Sequence, residues 1–89
     1  MEEQIKGVVL TVIKKIAPEA NLDHLKPNKS FRDQFDFDSI DFLNFALALQ
    51  EKFAVKIPEN DYPKLATLDG CIEYLKSKIS AEVSARLLR

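Results

Sequence analysis

The sequence predicts an all-α fold, a small antiparallel bundle of three main helices plus one short helix. Three observations predict it. Apolar residues recur at intervals of three and four in three separate stretches, the spacing of helices that each bury one stripe. Strict alternation of apolar and polar residues is sustained nowhere, so a sheet has no segment to build it. The 89 residues, 46% of them hydrophobic, hold enough apolar material for one core and too little for two.

The first stripe is Ile5, Val8, Val9, Val12, Ile13 and Ile16, on a helix that should stop near Ala17-Pro18. From Pro18 to about Phe37 the pattern breaks around Pro18, Asn21, Pro27 and Asn28. This reads as a long connection with one helical turn near Ser30 to Gln34, and its length implies a crossover or a functional loop. Asp38 is a candidate N-cap for a second helix running from Ser39 to about Phe53. At about 100° per residue, Phe42, Phe45, Ala46, Leu49 and Phe53 gather on a face expected to be core. Ile40, Leu43 and Leu47 form a second apolar group roughly 140° away. That group is either a widening of the core face or an exposed patch. Pro58 opens a short helix of about one turn that Pro63 should cut off. Thr67 then caps a last helix with the stripe Leu68, Cys71, Ile72, Leu75 and Ile79, which Val83 and Leu87 extend. Gly70 weakens its first turn. Residues 1–79 read as the domain, and residues 80–89 as a basic C-terminal extension that continues the last helix.

Charge narrows the function classes. A net charge of −1 and a pI near 5.8 supply no cationic field for a phosphate backbone, so nucleic acid is not an expected partner. No apolar run approaches the roughly 20 residues that span a bilayer, and the opening Met1-Glu2-Glu3 does not resemble the start of a secretory leader. A cytoplasmic monomer is the expectation. The lone Cys71 cannot form an internal disulfide, and its place on the last stripe makes it a buried structural thiol. His24 has no second histidine or neighbouring cysteine and reads as a loop residue rather than a zinc ligand or part of a triad. The acids Asp33, Asp36, Asp38 and Asp41 do not make a calcium loop, because counting from Asp36 the fifth position is Ile40 and the twelfth Leu47. No triad, metal cluster or phosphate-binding glycine loop is found, so the chain is not expected to be an enzyme. Acids dominate between residues 30 and 61, whereas Lys76, Lys78, Arg86 and Arg89 face only Glu82 in the last fourteen residues.

The segment Asp36-Phe37-Asp38-Ser39-Ile40-Asp41 lies where the long connection meets the two-faced helix. It resembles the attachment site of the acyl carrier protein family, whose pattern is Gly-x-Asp-Ser-Leu or Ile at a helix start. Asp38, Ser39 and Ile40 match. The resemblance extends from about Phe31 to Leu75, through Leu49-Gln50-Glu51-Lys52-Phe53, Ile57-Pro58 and Leu65-Ala66-Thr67-Leu68. It implies a carrier that holds acyl groups as thioesters on 4′-phosphopantetheine esterified to Ser39, in fatty-acid or related lipid or polyketide biosynthesis. Asp38 would cap the helix and take part in recognition by a phosphopantetheinyl transferase. Acyl-transferring or acyl-ligating enzymes would be the other partners, touching Ile40, Asp41, Leu43, Leu47 and Glu51. Phe37, beside Ser39, would cover the base of the arm or contact a partner. The chemistry suits the position, since a phosphodiester at a helix start meets unpaired N–H groups and the positive end of the dipole. The transferase would activate the hydroxyl, so Ser39 is a substrate and not a catalyst.

The sequence departs from the family pattern in two ways, and the second of them, with the six phenylalanines gathered between residues 31 and 53 and the basic tail, marks a specialised member. Asp36 stands where the family has glycine, and Asn44, Gln50 and Lys52 replace acids that typical members place along this helix. Weaker electrostatic steering toward generic fatty-acid enzymes is expected. Two alternatives stay open: an aminoacyl or peptidyl carrier, which shares the Asp-Ser-Ile or Asp-Ser-Leu signature, and a helical adaptor that keeps the fold without the arm.

Overall fold

The computed structural model describes the backbone of residues 1–87 and the side chains as far as Ala81. In chain order it has α1 (Glu2–Ile16), a 3₁₀ turn (Leu22–His24), α2 (Phe31–Gln34), α3 (Ser39–Phe53), a 3₁₀ segment (Glu59–Leu65) and α4 (Leu68–Leu87). All regular structure among the described residues is helical, with three long helices, as expected.

Helix α1 buries Ile5, Val9, Val12 and Ile13, with Val8 and Ile16 half-buried beside them. Glu2 and Glu3 in its first turn and Lys14 and Lys15 in its last complement the helix dipole. It stops at the expected place: the Ala17 amide still reaches the Ile13 carbonyl at 2.8 Å, and Pro18 has no N–H to continue the ladder. Helix α1 packs against both α3 and α4 and so joins the two.

The long connection is fastened by polar contacts rather than by length of helix. Gln34 accepts from the Lys26 amide at 2.6 Å and donates to the carbonyls of Lys26 and Lys29, each at 2.8 Å. The Phe31 amide donates to the Ala66 carbonyl at 2.9 Å and the Asp69 amide to the Pro27 carbonyl at 3.0 Å, which laces the loop to the start of α4. The turn expected near Ser30 to Gln34 is α2, capped by Ser30, whose Oγ accepts from the Asp33 amide at 3.2 Å. A further turn, Leu22–His24, is added by Asn21, which caps it by accepting from the Asp23 amide instead of merely breaking the chain.

The short helix is longer than expected and of another type. Pro63 does not cut it off, because the Pro63 carbonyl accepts from the Ala66 amide at 3.3 Å and so begins a second 3₁₀ turn. Proline is tolerated at the start of a turn, where its missing N–H is not needed.

Helix α4 buries Leu68, Cys71 and Leu75. Thr67 caps it, its Oγ1 accepting from the Gly70 amide at 2.9 Å. A Cβ at Gly70 would collide with the Lys64 carbonyl oxygen, so the residue that weakens the helix by propensity is the one that lets the Glu59–Leu65 segment abut it. The Cys71 thiol is buried, donates to the Leu65 carbonyl at 3.3 Å and is made harder to ionise by that burial. The Tyr74 hydroxyl donates to Asp61 Oδ2 at 2.6 Å. That bond, helped by the cations of Lys64 and Lys78, holds the Asp61 carboxyl below its usual range against a smaller opposing effect of desolvation. Desolvation first, then the Asp61 carboxylate, pushes the Tyr74 phenol up. The helix runs unbroken to Leu87. Lys76 of the basic run pairs with Glu2 at 3.1 Å, whereas the side chains of Glu82, Val83, Arg86, Leu87 and Arg89 lie outside the described residues.

Candidate functional site

The start of α3 is the most heavily specified point of the chain. Asp38 is in extended conformation and forms a reciprocal capping box with Asp41. Asp38 Oδ1 accepts from the Asp41 amide at 2.8 Å, and Asp41 Oδ2 accepts from the Asp38 amide at 3.4 Å. The cap expected of Asp38 is present; the return contact from Asp41 goes beyond it and is a glutamate's usual place taken by an aspartate. Ser39 is the first helical residue and its side chain is exposed. Its amide and that of Ile40 precede the first amide with an acceptor inside the helix, that of Phe42, which donates to the Asp38 carbonyl at 2.9 Å; they lie unpaired at the positive end of the dipole.

Phe37 corrects the expectation that it would face a partner or the arm. It is 3% exposed and belongs to the core, because it precedes the cap and its ring folds back over the helix. It meets Phe42, four residues into the helix, at 6.3 Å between ring centroids, the arrangement of a hydrophobic staple. Phe31, Phe35 and Phe45 complete the cluster around it at 6.0, 5.7 and 5.7 Å. The staple was readable in the sequence as apolar residues flanking Asp38 at the right offset.

Asp36, in place of the family's glycine, carries no backbone strain. The Phe37 amide donates to the Phe35 carbonyl at 2.8 Å, a γ-turn centred on Asp36. Among the described residues Ala54 is the only non-glycine with positive φ, so this is the inverse γ-turn that any L-residue can adopt. The rings of Phe35 and Phe37 anchor the turn from both sides and thereby set where Ser39 emerges.

Helix α3 does present two faces. Phe45, Ala46 and Leu49 are fully buried, with Phe42 and Phe53 half-buried at the margin. Ile40, Leu43 and Leu47 are 69%, 42% and 46% exposed, so they are a patch and not a widened core. Asp41 is half-buried at its edge, and Glu51 is exposed at its far end. Gln50 has an internal duty that nothing in the sequence announced: its Oε1 accepts from the Ile57 amide at 2.7 Å, and its carbonyl accepts from the Val55 amide at 3.2 Å. Together with Ala54 in left-handed conformation (φ 53°), this turns the chain out of α3. Of the residues that replace family acids, only Asn44 and Lys52 therefore change the surface.

The family described as phosphopantetheine attachment site matches residues 4–75. The chain is 35% identical over 78 residues to an acyl carrier protein of Chlorobium phaeobacteroides, covering 86% of this chain and 97% of that one. It is 32% identical over 84 residues to an acyl carrier protein of Acidothermus cellulolyticus, covering 94% and 95% of the two chains. The chain belongs to the acyl carrier protein family. Such carriers hold a group and do not catalyse, and phosphopantetheine is the group their attachment domain takes. The matched region reaches from α1 into α4 and contains the whole connection, the capping box and both faces of α3. A carrier works with a phosphopantetheinyl transferase and with acyl-handling enzymes. Among the described residues no helix is long and apolar enough to cross a membrane.

Proposed function

We propose that this acyl carrier protein bears 4′-phosphopantetheine on Ser39 and moves acyl groups as thioesters in fatty-acid or related lipid or polyketide biosynthesis, with a specialised set of partners. The observation that carries the reading is an exposed serine hydroxyl on the first residue of a helix whose cap is already complete. Asp38 and Asp41 satisfy each other, so esterifying Ser39 removes nothing on which the fold depends. A phosphodiester there would be favoured by the Ser39 and Ile40 amides, and its surroundings are open to solvent. When attached, the group supplies a thiol on a long flexible arm. The chain's own part is to hold its root at a fixed place through the Phe35–Phe37 anchor and to offer Ile40, Leu43 and Leu47 to partner enzymes. Covering the part of one such side chain that is still exposed, 42–69% of it, is worth roughly 1–2 kcal/mol, which is free energy the isolated carrier leaves unused.

The native cargo tests the pathway. Protein isolated from its own cells under thioester-preserving conditions should carry one phosphopantetheine and a carbon-chain acyl group released by hydroxylamine. An amino acid in that place would make it an aminoacyl carrier, and a chain bearing no arm would make it an adaptor.

A further inference from the structure

Beside the exposed patch, α1 and α3 frame a groove of about 320 Å³, lined by Val12, Lys15, Ile16, Asn44, Ala48, Glu51 and Lys52. Its floor is apolar, and Ala48 and Glu51 connect it to the face that carries Leu47. Lys15 and Lys52 enter from opposite helices, and Glu51 is the single acid along it. Among the described residues the ion pairs are Lys64–Asp61 and Lys76–Glu2, so neither groove lysine forms an ion pair with them, and the groove carries two cations against the one carboxylate of Glu51. Charge along this side of the protein therefore changes sign: Asp36, Asp38 and Asp41 lie at the Ser39 end, and the two lysines at the groove.

On the reading that Ser39 carries the arm, we infer that the α1/α3 groove receives an acidic side chain from the docking element of this carrier's acyl-loading enzyme. The partner surface has an apolar strip for Leu43 and Leu47, with a carboxylate beyond it to sit between Lys15 and Lys52. This makes the two lysines specificity-determining residues, because an enzyme that presents bases along the whole strip would meet like charge at the groove.

The test uses holo protein and the activity from the source cells that places a radiolabelled acyl group on it, purified by following that activity. Reversal at both positions, Lys15→Glu with Lys52→Glu, should raise the KM for the carrier roughly tenfold, the size expected for losing and inverting two rim pairs, with little change in kcat. Neutralisation to Gln at both should give a smaller rise, and added salt should raise the KM of the unaltered carrier. Lys6→Glu with Lys29→Glu changes the net charge equally but away from the groove and should leave KM near its starting value. An unchanged or lowered KM in the groove variants, or an equal rise in the control, overturns the inference while leaving the attachment at Ser39 intact. Failure of the unaltered chain to accept an arm at all would instead remove the function on which the inference rests.

Discussion

The two faces of α3 are built from the same kinds of residue and meet opposite fates. Phe45, Ala46 and Leu49 are sealed between α1, the aromatic cluster and the rest of the core, whereas Ile40, Leu43 and Leu47 are open to solvent within the same fifteen residues. Hydrophobicity on the first face is spent on folding. On the second much of it stays open to solvent, with Ile40 69%, Leu43 42% and Leu47 46% exposed. A single helix thus separates a sealed face from an open one by rotation alone, with the capping box fixing the rotation at one end and Gln50 with Ala54 fixing it at the other.

Substitutions can break that contrast at known points. Leu49→Ala should produce the largest loss, about 2–5 kcal/mol in urea unfolding, because it opens a cavity in a fully buried site. Gln50→Ala should cost about 1–3 kcal/mol, since the Ile57 amide loses its acceptor in a part-buried place. Leu43→Ala and Leu47→Ala should stay within about 0.5 kcal/mol of the parent, yet both should weaken acyl loading by raising the KM for the carrier. If either of the last two destabilised the chain as Leu49→Ala does, the exposed face would have to be core.

The three long helices were legible because each repeats its apolar residues over several turns. The second face of α3 was legible as a pattern but not as an exposure. Helical geometry gives the angle between Leu43 and Leu49, while only the packing of the neighbouring elements decides which of them is covered. Phe37 departs from expectation for a different reason: adjacency to Ser39 in sequence is not adjacency to its surface, because the staple with Phe42 turns the ring inward. The Glu59–Leu65 segment exceeded its expected end because Pro63 starts a turn as readily as it ends one. Gln34, Gln50 and the Tyr74–Asp61 pair left no trace in the sequence, since a polar side chain that ties a loop looks like any solvated one. The position of Ser39 itself was fully legible from Asp38 and the apolar register that follows.

Intact mass tests the attachment of an arm to that serine most directly. After coexpression with a competent phosphopantetheinyl transferase, the chain should gain the mass of one phosphopantetheine, mapped to the peptide containing Ser39. Ser39→Ala should gain none while keeping the parent's helical circular dichroism and unfolding midpoint. An unmodified parent chain, or an arm still attached to Ser39→Ala, would contradict the account.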